Sequence, residues 1–332
     1  MTELKDRRIL ITGGAGFIGS NLLDALVEDN EVRVLDNFSG GAIENVQQHV
    51  GKRNFELIKG DVVDKEVVSQ ALKDVDIIFH LAAIVGVRHY VHDPIQVMKT
   101  NVHGTENLLE LSLERSVERV VFASTSEVYG KNPGIPLKED ADRVLGSTKI
   151  DRWCYSTAKA VDEHLCYAYH RKHGLPVTVL RYFNVYGPRQ ECSDYGGVIS
   201  IFIRRVLNDE SPLVHGNGNQ TRSFLYVSDA VNGSLSAATS KESVGAAINI
   251  GSSKETSIRD LALLIIKLAG KKERIDPKYI PYQDFYGEYY EDIPRRVPDV
   301  SMAIKMLGFK PKVSLEEGLK NTIAWYKQHL NR

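Results

Sequence analysis

The sequence predicts an α/β fold, a doubly wound parallel sheet with a smaller mixed C-terminal lobe. Three observations predict it. Short apolar runs alternate with helical patterns through the first half, as expected of a parallel sheet with helices on both faces. A glycine-rich turn joins the first of these runs to the first helix. Beyond about residue 185 the alternation stops, and turn-rich stretches such as Gly187-Pro188-Arg189-Gln190 and Gly216-Asn217-Gly218-Asn219 appear.

Residues 8–12 form the first predicted strand. Gly13-Gly14-Ala15-Gly16-Phe17-Ile18-Gly19 follows, then a helical pattern with Phe17, Ile18, Leu22, Leu23, Ala25 and Leu26 on its apolar face. Gly14, Gly16 and Gly19 satisfy G-x-G-x-x-G; Gly13, Gly16 and Gly19 satisfy the looser G-x-x-G-x-x-G. The second strand, residues 31–35, ends in Asp36. An acid about 20 residues past such glycines is the ribose partner in a Rossmann-type, dinucleotide-binding sheet. The glycines let the backbone approach a pyrophosphate, whose charge meets the amides of a helix N-terminus. A carboxylate at Asp36 accepts from two ribose hydroxyls and repels a 2′-phosphate, so NAD is expected rather than NADP, with Arg33 as the one nearby cation that argues otherwise.

The remaining strands are expected at 55–59, 76–81, 119–123 and 177–181, with a helix over 94–115. Ligands in such sheets sit beyond the carboxyl ends of the strands. That rule gathers the glycine loop, Asp36, Asp61, Ala82, residues 124–127 and Asn184 around one crevice. The NAD-binding domain is expected over 1–184 plus about 216–250, and the second lobe over about 185–215 and 251–332.

Tyr155 and Lys159 lie in Trp153-Cys154-Tyr155-Ser156-Thr157-Ala158-Lys159-Ala160. On a helix, positions i and i+4 share a face, so an ammonium stands beside a phenol. A neighbouring cation favours the phenolate and draws its pKa down from about 10, making a base for an alcohol proton. The same spacing also occurs on ordinary helix faces.

The chain has 332 residues, enough for one large domain or two joined lobes. A formal charge of −1 gives no reason to expect nucleic acid or a membrane surface as partner. No apolar run approaches the ~20 residues of a membrane span, and the polar start shows no signal peptide. Cys154, Cys166 and Cys192 are odd in number and lack metal-type spacing, which points to a reducing cytoplasm. His89 with His92, and His170 with His173, are three apart but have no third ligand at suitable spacing, so no metal is expected.

With these motifs assembled, the sequence resembles the extended short-chain dehydrogenase/reductases that modify nucleotide sugars. The resemblance runs nearly end to end. Ala123-Ser124-Thr125-Ser126-Glu127-Val128-Tyr129-Gly130, the run from Asn219 to Asp229, and Pro294-Arg295-Arg296-Val297-Pro298-Asp299 are most similar to the UDP-glucuronate decarboxylases. The resemblance implies that Thr125 binds the sugar's 4-hydroxyl, Tyr155 removes its proton, and Lys159 holds the nicotinamide ribose while hydride passes to NAD. It implies Glu127 as acid/base near C5, with Ser126 and Arg296 orienting a C6 carboxylate. It further implies cofactor contacts at Asn37, Asp61, Val62, Leu81, Ala82, Ala83 and Asn101, and UDP-sugar contacts at Tyr90, Asn184, Arg222 and Arg296. A surface salt bridge is the plain alternative for each of the two arginines.

Decarboxylation leads, and two other outcomes stay open. In a 4,6-dehydratase Glu127 takes the C5 proton while water leaves C6; dTDP-glucose dehydratases usually carry Asp at the Ser126 position. A 4-epimerase needs only Thr125, Tyr155 and a pocket in which the ketone turns over. The segment 146–153 and Tyr155-Ser156-Thr157-Ala158-Lys159 depart from the UDP-xylose synthases, the former toward the decarboxylase of a bacterial 4-amino-arabinose pathway. A non-catalytic NAD-binding module is the remaining alternative, opposed by the presence of Thr125, Tyr155, Lys159 and Glu127 together. The family is usually dimeric through the two long helices, where Leu108, Leu111, Leu165 and Ala168 are available.

Overall fold

The structure, a computed structural model, describes residues 4–191, 196–281 and 293–329. Cys192 lies outside them. In chain order the strands are β1 (Arg8–Thr12), β2 (Glu31–Asp36), β3 (Phe55–Lys59), β4 (Ile77–His80), β5 (Arg119–Thr125), β6 (Val177–Tyr182), β7 (Val185–Tyr186), β8 (Leu213–His215), β9 (Thr221–Ser223), β10 (Leu225–Tyr226), β11 (Ala247–Ile250), β12 (Glu255–Ser257), β13 (Lys278–Ile280) and β14 (Arg295–Arg296). The helices are α1 (Phe17–Leu26), α2 (Lys65–Ala71), α3 (Val87–His92), α4 (Pro94–Glu114), α5 (Arg152–His173), α6 (Val198–Leu207), α7 (Val227–Thr239), α8 (Ile258–Leu268), α9 (Ser301–Leu307) and α10 (Leu315–His329).

Seven strands form one parallel sheet in the order β11-β6-β5-β4-β1-β2-β3. Successive side chains along a strand point to opposite faces. Ile9 and Ile11 therefore join a cluster with Leu22, Leu23, Val34, Phe79 and Ala230 under α1 and α7. Leu10 joins the opposite cluster with Ile78, Phe122, Leu108 and Cys166 under α4 and α5. Both faces being covered explains why the central strands β1 and β4 read as nearly unbroken apolar runs.

The six strands expected from sequence are all present. β5 and β6 run further than expected, to Thr125 and Tyr182. β11 was not singled out as a strand, because it is four residues long and Asn249 interrupts its apolar run. A third cluster, including Ile199, Phe202, Leu261, Ile265, Leu319 and Ile323, lies among α6, α8 and α10. Ala303, Leu307 and Phe309, from the segment the sequence placed in the second lobe, pack into the α1/α7 cluster. Leu108 and Leu111, proposed for a subunit contact, are buried in this chain's own core.

Asn249 belongs to a buried polar network that fixes the carboxyl ends of β5, β6 and β11. Arg181 donates to Glu163 Oε1 (2.9 Å) and Oε2 (2.6 Å) and to the Tyr129 hydroxyl (2.9 Å). The Tyr129 hydroxyl donates to Asn249 Oδ1 (2.7 Å), and the Ser124 hydroxyl donates to Glu163 (2.5 Å). Removing one member of a buried ion pair strands the other charge without water. Glu163→Ala is therefore expected to cost about 3–5 kcal/mol of stability, checked by urea unfolding. A double change, Glu163→Leu with Arg181→Met, is expected to recover part of that loss.

Candidate active site

The glycine turn after β1 is shaped as a cradle. Gly13 has a φ of +70°, and a Cβ there meets the Ala82 backbone nitrogen at 2.8 Å. A Cβ on Gly19 meets the Gly13 carbonyl oxygen at 2.3 Å, so α1 starts as close to β1 as glycine allows. No side chain caps the start of α1 and no acid sits in its first turn, which leaves the amide end beside Gly16, Phe17 and Ile18 suited to an anion. Asp36, buried at the end of β2, accepts from the Ala15 amide (2.9 Å) and the Phe38 amide (2.7 Å). Burial raises its pKa and those two amides oppose the rise. Each carboxylate oxygen keeps a lone pair for a ribose hydroxyl.

Asn37 donates to Asp61 Oδ2 (2.8 Å), joining the ends of β2 and β3, and Val62 is buried beside Gly104. The loop 81–84 after β4 is held twice. The Ala82 amide donates to the Thr12 hydroxyl (3.2 Å), and Asn101 Oδ1 accepts from the Ile84 amide (2.8 Å). Thr12 and Thr105 flank His80 at 2.7 and 3.2 Å. Burial, then the charge of Lys159, pushes the His80 pKa down to about 3, so the ring is neutral. Arg33 faces elsewhere: it donates to Glu56 (2.6 Å) and to the carbonyls of Ala71 and Lys73. The residues present fit a dinucleotide, and the cation that argued for a 2′-phosphate is already engaged.

Across the crevice, Thr125 ends β5 and its hydroxyl accepts from the Glu127 amide (3.2 Å), opening the short 3-10 turn Ser126–Tyr129. Helix α5 grips that turn, since the Ser156 hydroxyl donates to the Glu127 carbonyl (2.7 Å). Ser126 is buried in the turn. Tyr155 on α5 is hydrogen-bonded to Thr125 and stacks against Tyr90, with ring centroids 6.4 Å apart.

Glu127 is flanked by guanidinium groups. Arg296 Nη1 donates to its Oε1 at 2.6 Å, and Arg152 Nη2 reaches the two carboxylate oxygens at 3.3 and 3.4 Å. Burial by itself would raise the Glu127 pKa; the charges of Arg152 and Arg296 outweigh it and hold the group at about 2. Glu127 is thus a carboxylate throughout neutral pH. Its folded pKa lies below the unfolded value, so the stability it contributes is present above about pH 4.5 and is lost as pH falls toward 2. Urea unfolding between pH 6 and about pH 2.5 is expected to show a steeper acid loss in the native protein than in Glu127→Gln.

Arg296 on β14 lies in register with Arg222 on β9. Arg222 Nη1 donates to the carbonyls of Thr221 and Ile293, both at 2.8 Å. Asn184, at a φ of +39°, donates to the Ser223 carbonyl (3.0 Å) and so ties the turn after β6 to β9. Arg296 is buried, yet its Nε and Nη2 have no hydrogen-bond partner within the described residues.

One electrostatic expectation is corrected. Lys159 does share α5 with Tyr155, but its ammonium lies 3.7 Å from Asp162 Oδ2 and 4.5 Å from the centroid of the Phe122 ring. The Tyr155 pKa is therefore raised, by burial first and then by the charge of Glu127, with the Thr125 hydrogen bond pulling the other way. Two site residues were missed from sequence, Arg152 and Asp162. Arg152 stands three residues before Tyr155 and Asp162 three after Lys159, the helical spacing that would have pointed to both.

Residues 9–251 match the model of the NAD dependent epimerase/dehydratase family. The chain belongs to that family. Its cofactor is NAD. Among the family's members, the UDP-N-acetyl-alpha-D-glucosaminuronate decarboxylase of Bacillus cytotoxicus is 43% identical, with 97% of this chain and 98% of that protein covered. The UDP-glucuronic acid decarboxylase 1 of Xenopus tropicalis is 42% identical, with 99% of this chain and 74% of that protein covered. The solved UDP-N-acetylglucosamine 4-epimerase of Methanobrevibacter ruminantium is 35% identical, with a TM-score of 0.89 over 98% of this chain and 99% of that one. Among the described residues, no helix of this family member is long and apolar enough to cross a membrane.

Proposed function

We propose that the protein is a UDP-uronate decarboxylase that works through transient oxidation of the sugar at C4. The observation that carries this reading is the buried Arg296, whose Nε and Nη2 have no hydrogen-bond partner among the described residues while its Nη1 is paired with Glu127. Arg152 and Arg296 both pair with the Glu127 carboxylate, and the charge of Arg222 also acts on it. A buried guanidinium edge without an acceptor among the described residues suits an anionic ligand. A planar guanidinium matches a carboxylate in a two-point fork, which a neutral hexose does not offer.

NAD would be held by the cradle of Gly13, Gly16, Phe17, Ile18 and Gly19, by Asp36 through a ribose, by Asn37, Asp61 and Val62 for the adenine, and by Leu81, Ala82, Ala83 and Asn101 for the nicotinamide half. When bound it supplies a reversible two-electron acceptor at the sugar's C4. Thr125 fixes the 4-hydroxyl, and Tyr155 takes its proton as the carbon is oxidised, then returns it at the end. Lys159 holds the nicotinamide ribose. Once C4 is a ketone, the C6 carboxylate is a β-keto acid. The C5–C6 bond breaks, its electron pair enters an enolate, carbon dioxide leaves, C5 takes a proton that came from water, and the C4 ketone is reduced back to the alcohol by the same two electrons, so no net redox change remains. Ser126 and Arg296 orient the carboxylate, and Arg152 keeps Glu127 in line with them. An acid/base role for Glu127 follows only when the substrate's carboxylate displaces it from Arg296, since at a pKa of about 2 it has no proton to donate. Asn184 and Arg222 face the diphosphate, and Tyr90 packs behind Tyr155.

The sheet-bearing part then serves as the NAD lobe, and the part built on the α6/α8/α10 cluster as the sugar-nucleotide lobe. A homodimer through the outer faces of α4 and α5 is supported by exposed Val161 and Ala168 and half-buried Leu165. A cytoplasmic location agrees with the cysteine pattern. The test is a substrate panel of UDP-glucuronate, UDP-N-acetylglucosaminuronate, UDP-glucose and dTDP-glucose, with products identified by mass. The expected result is loss of carbon dioxide from the uronates alone. Loss of water identifies a dehydratase, and unchanged mass with altered stereochemistry an epimerase.

A further inference from the structure

Asp162 sits on α5 one turn beyond Lys159, with none of its side chain exposed. Its neighbours explain little of that burial. Glu163, next in the chain, is held by Arg181, and Cys166 one turn on is a buried thiol. Thr105 faces Asp162 from α4, but its hydroxyl proton goes to the Asn101 carbonyl (2.8 Å). His80 on β4 is neutral. Lys159, at 3.7 Å, is left as the cation that compensates the carboxylate. A carboxylate so enclosed is a poor way to stabilise a helix–sheet contact, where an apolar side chain serves at least as well.

We propose that Asp162 is a positioning residue, the resting counter-ion that holds the Lys159 ammonium against Phe122 and away from Tyr155 until the dinucleotide's ribose hydroxyls engage it. This rests on the reading of Tyr155 and Lys159 as the oxidation site. Two directions of charge agree with it. Burial lowers the Lys159 pKa while Asp162, Cys166 and Glu163 support the charge; burial raises Asp162 to about 7 while Lys159 opposes the rise. Asp162 also adds to the rise at Tyr155, after burial and Glu127. Removing the carboxylate therefore has a definite sign: the phenol ionises at lower pH, and the ammonium no longer has to leave a partner to meet the ribose.

The experiment uses the apo protein and no sugar. Tyrosinate absorbance is titrated against pH, with the Tyr155→Phe signal subtracted, and NAD binding is measured by calorimetry. Asp162→Asn is expected to move the Tyr155 midpoint down and to bind NAD about tenfold more tightly. Asp162→Leu, branched at the same carbon and uncharged, is expected to do the same and serves if the amide variant does not fold. A variant that changes the melting temperature but neither the midpoint nor the affinity overturns the proposal. Lys159→Met is the control: lost NAD affinity upholds the oxidation-site reading, whereas unchanged affinity overturns that reading and the proposal with it.

Discussion

Replacing Tyr155 by phenylalanine is expected to lower turnover of every UDP-sugar substrate by about 10³-fold while the sugar nucleotide still binds. The phenol is hydrogen-bonded to Thr125, where it can take and return a proton, and it is buried. Burial and Glu127 hold it protonated at rest, so its ionisation awaits the positive charge that an oxidised nicotinamide ring would supply. Removing the hydroxyl deletes that step and leaves the ring, which keeps its stack against Tyr90. The measurement is single-turnover absorbance of the reduced cofactor after mixing with UDP-glucuronate. A variant that still reduces the cofactor at the native rate would remove Tyr155 from the mechanism.

Arg296→Ala is expected to lower kcat/KM for a UDP-uronate by about 10²–10³-fold. On the proposed reading, the variant loses a buried, two-point partner for the sugar's carboxylate. Binding of UDP-glucose, which carries no such group, is expected to change by less than about tenfold, because Asn184 and Arg222 remain. Glu127 keeps Arg152, so the turn after β5 stays anchored. The comparison between the acidic and the neutral sugar nucleotide is what separates recognition from general damage. Equal losses for both would mean that Arg296 serves the diphosphate or the fold.

Much of this was legible in the sequence, and the reason is local. Strands covered on both faces are largely apolar, so β1 could be read at its observed bounds, and the edge strand β3 by its shorter run of Phe55, Leu57 and Ile58. The glycine turn announces itself because Gly13 and Gly19 tolerate no Cβ. The charge distribution around Tyr155 was not legible. The expected help from Lys159 assumed a solvent-like helix face, whereas burial and the tertiary neighbours Glu127 and Phe122 decide where the charges lie. The pairing of β9 with β14, which sets Arg222 beside Arg296, joins segments far apart in the chain and leaves no periodic trace. β11 escaped notice for a related reason. Its polar Asn249 looks out of place in a strand until the Tyr129 hydroxyl is seen to need it.

The most direct measurement supplies the protein with NAD and UDP-glucuronate labelled with carbon-13 at C6, and follows the label by NMR. The account predicts that the label leaves as carbon dioxide and bicarbonate while a UDP-pentose accumulates. A label that stays on the sugar, in an unchanged, epimerised or dehydrated product, would contradict it.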